Sequence, residues 1–134
     1  MIKEEMDVLE FDFYNRLKTD YITHKSLFVA FDYDNTVFDY HNIGIDFTTI
    51  IKLLQDCKSL GFTMILFTAN EGTDLDRVKV DLENRKIPYD LINENPLMNT
   101  RKPYYNILLD DRAGLKEAYV NLKRLIDEIR NKEI

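Results

Sequence analysis

Long apolar runs are missing from this chain, and their absence sets the first boundary. No stretch approaches the roughly 20 consecutive apolar residues that a membrane-spanning helix requires. The opening Met1-Ile2-Lys3-Glu4-Glu5 lacks the apolar core of a secretory leader, so a cytoplasmic protein with no membrane partner is expected. Cysteine is nearly absent: Cys57 stands alone, which excludes an internal disulfide and fits a reducing compartment. Four glycines occur, none at the spacing of a phosphate-cradling loop, which argues against nucleoside-triphosphate motor or kinase chemistry. With three prolines, no Pro/Gly-rich linker and no internal repeat, the 134 residues read as one domain. Within it, 1–26 is expected to carry an N-terminal helix and 27–134 the core. Positive charge is in deficit: 18 Lys and Arg stand against 24 Asp and Glu, a net charge of -6. A general nucleic-acid-binding surface is not expected on that balance.

What the chain does have is three short apolar runs that end in polar chemistry. Leu27-Phe28-Val29-Ala30-Phe31 runs into Asp32-Tyr33-Asp34-Asn35-Thr36. Met64-Ile65-Leu66-Phe67 runs into Thr68, and Ile107-Leu108-Leu109 into Asp110-Asp111. Each run reads as a buried strand. Alternation along a strand lets Asp32 and Asp34 project to one side of its carboxyl end, where α/β sheets bind ligands. Two close carboxylates repel each other unless a cation, a proton or a hydrogen bond intervenes. Hard oxygen donors on a short turn suit Mg2+, which keeps several waters and accepts phosphate oxygens. A single Asp after a strand is ordinarily a turn former or a helix cap. The ordered set of Asp-x-Asp, Thr and Asp-Asp reads instead as a site.

Helices alternate with these strands. Met6, Leu9, Phe13, Leu17 and Tyr21 recur at near-helical spacing, predicting an amphipathic helix over about 5–22. Its apolar stripe packs either on the chain's own core or against a second copy, making a homodimer through this helix. Asp46 is placed to start a helix that buries Phe47, Ile50, Ile51, Leu54, Cys57 and Leu60 and ends at Gly61. Cys57 on that face is a core filler. A second strand over about 62–67 precedes a helix from Thr73 or Asp74 with Leu75, Val78 and Leu82 inward, stopped before Pro88. A short strand near 89–92, an irregular segment over 93–104 and a fourth strand over about 105–110 follow. The last helix carries Leu115, Ala118, Tyr119, Leu122, Leu125, Ile126 and Ile129 on one stripe. This alternation predicts an α/β fold with a parallel, doubly wound sheet of four strands. Strand ends that meet around one metal require the order 4-1-2-3, with the first strand internal.

Asp32-Tyr33-Asp34-Asn35-Thr36 resembles the first signature of the haloacid dehalogenase superfamily of phosphohydrolases. Thr68 resembles its second signature and Asp110-Asp111 its fourth, so that the resemblance covers about residues 27–115. The run Ile107-Leu108-Leu109-Asp110-Asp111-Arg112 is similar to small bacterial and phage members, including the phosphatase half of phage polynucleotide kinase-phosphatase. The resemblance implies a Rossmannoid three-layer sandwich and a Mg2+-dependent phosphatase. In it Asp32 is the nucleophile that forms an aspartyl-phosphate, and Asp34 protonates the leaving oxygen and then activates water. It also implies a metal held by Asp32, Asp34 through its backbone carbonyl, Asp111 as direct ligand and Asp110 in support. Thr68 holds a phosphoryl oxygen, and Thr36 fixes the turn.

Three departures from the family pattern shape the expectations. The family's phosphate-neutralising Lys matches Lys102, which lies eight positions before Asp110. If most of that segment is strand, at about 3.3 Å per residue, Lys102 lies roughly 20 Å below the site. Either the segment folds back, or another cation such as Arg112 takes the role. After Thr68, Asn70 stands where related members often carry Arg, and its neutral amide is expected to bind phosphate less strongly. No cap domain fits between the signatures; a short flap over about 37–45, with His41 as a candidate substrate contact, is all that separates the first strand from its helix. An open site admits a sugar phosphate, a nucleotide or a phosphorylated macromolecule end. Two other readings remain: a binding protein that kept the fold without catalysis, and a receiver-type phosphoacceptor domain. The receiver order, with its acidic pair first and its phosphorylated Asp after the third strand, is the reverse of the order here.

Overall fold

A computed structural model describes residues 5–97 and 101–134. Met1–Glu4 of the N-terminal segment and positions 98–100 of the expected irregular stretch lie outside the described residues. Four strands, β1 (Phe28–Asp32), β2 (Thr63–Phe67), β3 (Leu91–Ile92) and β4 (Ile107–Leu109), form one sheet. They lie in the order β3-β2-β1-β4, and every neighbouring pair is parallel. Among the described residues, four α-helices accompany them: α1 (Phe13–His24), α2 (Thr48–Ser59), α3 (Gly72–Asn84) and α4 (Leu115–Arg130). The fold is therefore α/β with an all-parallel sheet. Among the described residues, no helix is long and apolar enough to cross a membrane.

The strands form where β-branched and aromatic residues crowd, and the register decides what their ends bring together. β1 pairs with β2 from Phe28 opposite Thr63 to Asp32 opposite Phe67. On its other side it pairs with β4 from Val29 opposite Ile107 to Phe31 opposite Leu109. Because all three strands point the same way, Asp32, Thr68 and Asp110 arrive at one edge of the sheet.

Alternate residues face opposite sides of a sheet. Val29, Phe31, Met64, Leu66 and Leu109 join one buried cluster with Leu17 of α1, Leu54 and Cys57 of α2, Val78 and Leu82 of α3, and Leu122 and Leu125 of α4. All four helices thus contribute to a single core on one side of the sheet. On the other side the ring of Phe28 meets Tyr104, and that of Phe67 meets Tyr105, with centroids 5.8 and 6.3 Å apart. Where a three-layer sandwich of helix, sheet and helix was expected, no helix lies between β3 and β4 among the described residues.

The N-terminal stripe is divided rather than continuous. Asp7 accepts a hydrogen bond from Leu9 N and caps a 3-10 turn over Val8–Glu10. Asp12 accepts from Tyr14 N and starts α1 at Phe13, so the helix expected from residue 5 begins eight residues later. In α1 the buried positions are Tyr14 and Leu17, with Tyr21 packed against Phe62. Met6, Leu9 and Phe13 stay exposed. The helix after the flap starts at Thr48, one residue later than expected, with Phe47 as its N-cap; Asp46 still takes the Thr48 amide at 2.8 Å, and Gly61 in the left-handed region (φ 84°) closes the exit.

Candidate functional site

The site begins with the turn after β1. Asn35 adopts the left-handed conformation (φ 61°), which Asn tolerates better than most residues, and its amide donates to Phe38 O at 2.7 Å. The amides of Thr36, Val37 and Phe38 all donate to Tyr33 O. This coil turns the chain back on itself at once, so Asp32 and Asp34 sit on a fixed loop at the carboxyl edge of the sheet.

The acidic pair after β4 is tied to that loop. Thr36 is fully buried, and its hydroxyl oxygen accepts a hydrogen bond from the Asp111 amide at 3.1 Å. Asp110 takes the Arg112 amide on its own carboxylate at 2.9 Å and the Ala113 amide on its carbonyl. As a result, carboxylate oxygens of Asp32, Asp110 and Asp111 lie within 4.8 Å of one another. Carboxylates this close repel one another when ionised. Burial and the neighbouring carboxylates of Asp110, Asp111 and Asp34 push Asp32 up to about 7, against a smaller lowering by a backbone hydrogen bond. Asp34 is also raised, by burial and by Asp111, and it stands outside the triad. A donor set made of carboxylate oxygens alone fits a hard divalent cation. Asp32, Asp110 and Asp111 are the residues that would hold it.

Thr68 stands one residue beyond Phe67, which pairs with Asp32. Its backbone is locked from both sides by the side chain of Asn93, which accepts from Thr68 N and donates to Thr68 O, each at 2.9 Å. Its hydroxyl oxygen accepts from Asn70 twice, from the side-chain amide at 2.8 Å and from the backbone N–H at 3.1 Å. Asn70, expected as a substrate-binding residue, places its side-chain amide on the Thr68 hydroxyl with one N–H and has a second N–H besides.

The residues from Lys102 to Asn106 are not the extended strand that a separation of roughly 20 Å assumed. β4 is three residues long, and the segment before it folds back: Asn95 donates to Lys102 O at 3.1 Å and accepts from Tyr104 N at 2.8 Å. Lys102 is thereby held beside Asn95, three residues past the end of β3. The separation of roughly 20 Å assumed extended backbone at about 3.3 Å per residue; the residues before Ile107 are not strand, and that assumption fails. Arg112 is exposed and follows the acidic pair directly. His41 is exposed on the flap, its ring edge-on to Tyr40 at 5.1 Å, and is not brought into the acidic cluster.

From sequence, Asn93-Glu94-Asn95 at the end of the third strand stands at the correct edge for substrate, with polar loop as the default reading. Tyr33 and its partners were not singled out from sequence. Tyr33, between the two aspartates, donates to Asp81 at 2.5 Å, and Arg85 joins Asp81 while donating to Val37 O at 2.6 Å. A polar residue on the inward stripe of α3 was the available signal for Asp81.

No protein-family model matches this chain, and no curated protein matches it. Among solved structures, it is similar to a conserved protein coded by a locus of Bacteroides thetaiotaomicron. The two are 20% identical, and the match covers 80% of this chain and 92% of that one with a TM-score of 0.59. At that identity the likeness speaks for the fold alone.

Proposed function

We propose that this chain is a phosphatase of the haloacid dehalogenase type, built without a cap domain, that hydrolyses phosphomonoesters with Mg2+. The observation that carries the reading is the convergence of Asp32, Asp110 and Asp111 within 4.8 Å at the carboxyl edge of a parallel sheet. A bound divalent cation supplies charge that offsets the repulsion between an anionic phosphate and a carboxylate nucleophile.

In this reading the remaining steps belong to the chain's own residues. An Asp32 carboxylate oxygen attacks phosphorus as the bond to the leaving oxygen breaks, forming an aspartyl-phosphate. Asp34, whose carboxyl is held above its ordinary value by burial and by Asp111, donates the proton that the leaving alcohol needs. The resulting Asp34 carboxylate then takes a proton from water, whose oxygen attacks the same phosphorus. The bond to Asp32 breaks, and inorganic phosphate leaves. Thr68 donates to a phosphoryl oxygen, and Lys102, on its folded-back segment, neutralises phosphate charge with Arg112 as the alternative. The flap adds no cap, so the substrate is a sugar phosphate, a nucleotide or a phosphorylated nucleic-acid end.

A panel of phosphorylated sugars, nucleotides and 5′- or 3′-phosphorylated oligonucleotides tests the proposal. Phosphate release that requires Mg2+ and stops with chelator is expected for at least one of these. A chain that binds these ligands but hydrolyses none is the non-catalytic alternative.

A further inference from the structure

The environment of Thr68 carries one step further, resting on the phosphatase reading. A hydroxyl has one hydrogen to give and two lone pairs to receive with. At Thr68 both lone pairs are engaged, by the Asn70 side-chain amide at 2.8 Å and the Asn70 backbone N–H at 3.1 Å. The Thr68 carbonyl and amide are likewise occupied, by Asn93. What Thr68 still has to offer is its hydroxyl hydrogen.

We propose that Asn70 is a positioning residue that makes the Thr68 hydroxyl a dedicated hydrogen-bond donor toward the phosphoryl group. An unconstrained threonine hydroxyl rotates between donating and accepting, and every accepting orientation toward an anionic oxygen is repulsive. Two donors from one neighbour remove those orientations before substrate arrives, which is preorganisation of an electrostatic contact. Asn suits the task because its amide donates without adding charge. An Arg at this position reaches past the hydroxyl to fork onto the phosphate itself, so Asn70 exchanges a direct phosphate contact for control of Thr68. The inference reverses the expectation that Asn70 touches substrate.

A double-mutant cycle on p-nitrophenyl phosphate hydrolysis with Mg2+ separates the two roles. Asn70→Ala keeps the backbone bond and loses the side-chain one, and is expected to lower kcat/KM by about three- to tenfold, the effect of one neutral hydrogen bond. Thr68→Val removes the hydroxyl and is expected to cost more. If Asn70 acts through Thr68, adding Asn70→Ala to Thr68→Val changes kcat/KM by less than about twofold, because the hydrogen bond it removes is already gone. Unchanged thermal midpoints show that folding is not the cause. A loss that persists undiminished in the Thr68→Val background makes Asn70 a direct substrate ligand and overturns the inference. So does Asn70→Ala with wild-type kinetics, which leaves the phosphatase reading standing. A wild-type chain that hydrolyses no phosphomonoester overturns that reading, and the inference with it.

Discussion

At the scale of single residues, the proposed chemistry turns on Asp32. Its carboxyl sits in a partly buried place with Asp110, Asp111 and Asp34 around it, and burial and these neighbours raise it to about 7. A group held there is only about half ionised at neutral pH, and in the proposed reaction a cation beside it would favour the ionised form. Asp32→Asn keeps the side chain's size and removes the attacking oxygen, so phosphate release should vanish while the thermal midpoint is kept or raised. Asp34→Asn removes the proton donor and should lower kcat by roughly 10²–10⁴-fold, the usual worth of a general acid or base. Thr36 has a quieter task. Thr36→Val leaves the Asp111 amide without its acceptor and is expected to cost about 1 kcal/mol; denaturant unfolding measures it, and titration with Mg2+ should show weakened binding because Asp111 is no longer pinned.

At the scale of elements, the site depends on how α3 grips the loop after β1. Tyr33 donates to Asp81, Arg85 bridges Asp81 and Val37 O, and Phe38 stacks on Tyr33 with ring centroids 5.0 Å apart. Burial works against the Asp81 carboxylate, but the hydrogen bonds from Arg85 and Tyr33 and the Arg85 charge prevail and hold it below its ordinary value. A carboxyl depressed in the folded chain contributes stability above its unfolded value, about 3.9, and loses it as pH falls through the folded value. Thermal unfolding of the wild type should therefore drop more steeply below about pH 4 than that of Asp81→Asn; parallel profiles would show the network to be inert. The elements themselves were largely legible. The β2, α2, α3 and α4 patterns fall near their expected places because each carries one unambiguous period and a cap or a breaker. The start of α1 was read too early because Met6, Leu9 and Phe13 keep helical spacing, while the capping bonds of Asp7 and Asp12 break the helix between them. Strand ends placed Asp32, Thr68 and Asp110 correctly at one edge. The bonds of Asn93, Asn70 and Asn95 were not legible, since an amide partner two to 25 residues away leaves no periodic trace.

At the scale of the whole molecule, the acidic cluster is a local liability that a bound cation would relieve. Between pH 3.8 and about 7 the folded chain holds a proton on Asp32 that the unfolded chain has released. Stability of the metal-free chain should therefore fall as pH rises through that window and recover at pH above it when Mg2+ is added. Thermal unfolding in chelator across this range checks the sign, and Asp32→Asn should flatten the dependence. A second feature acts between molecules. Met6, Val8, Leu9, Phe11 and Phe13 are exposed in a row before the packed part of α1, with the rings of Phe11 and Phe13 touching at 4.9 Å. Such a row favours self-association. Sedimentation is expected to show a dimer that Phe13→Asp dissociates, and a monomer at all concentrations contradicts it. The central claim, that Asp32 takes up a phosphoryl group, is tested most directly by mass analysis of the acid-quenched chain after mixing with Mg2+ and the best substrate of the panel. The account predicts a transient phosphoryl adduct on the peptide that contains Asp32, absent from Asp32→Asn. Full phosphate release by Asp32→Asn would contradict it.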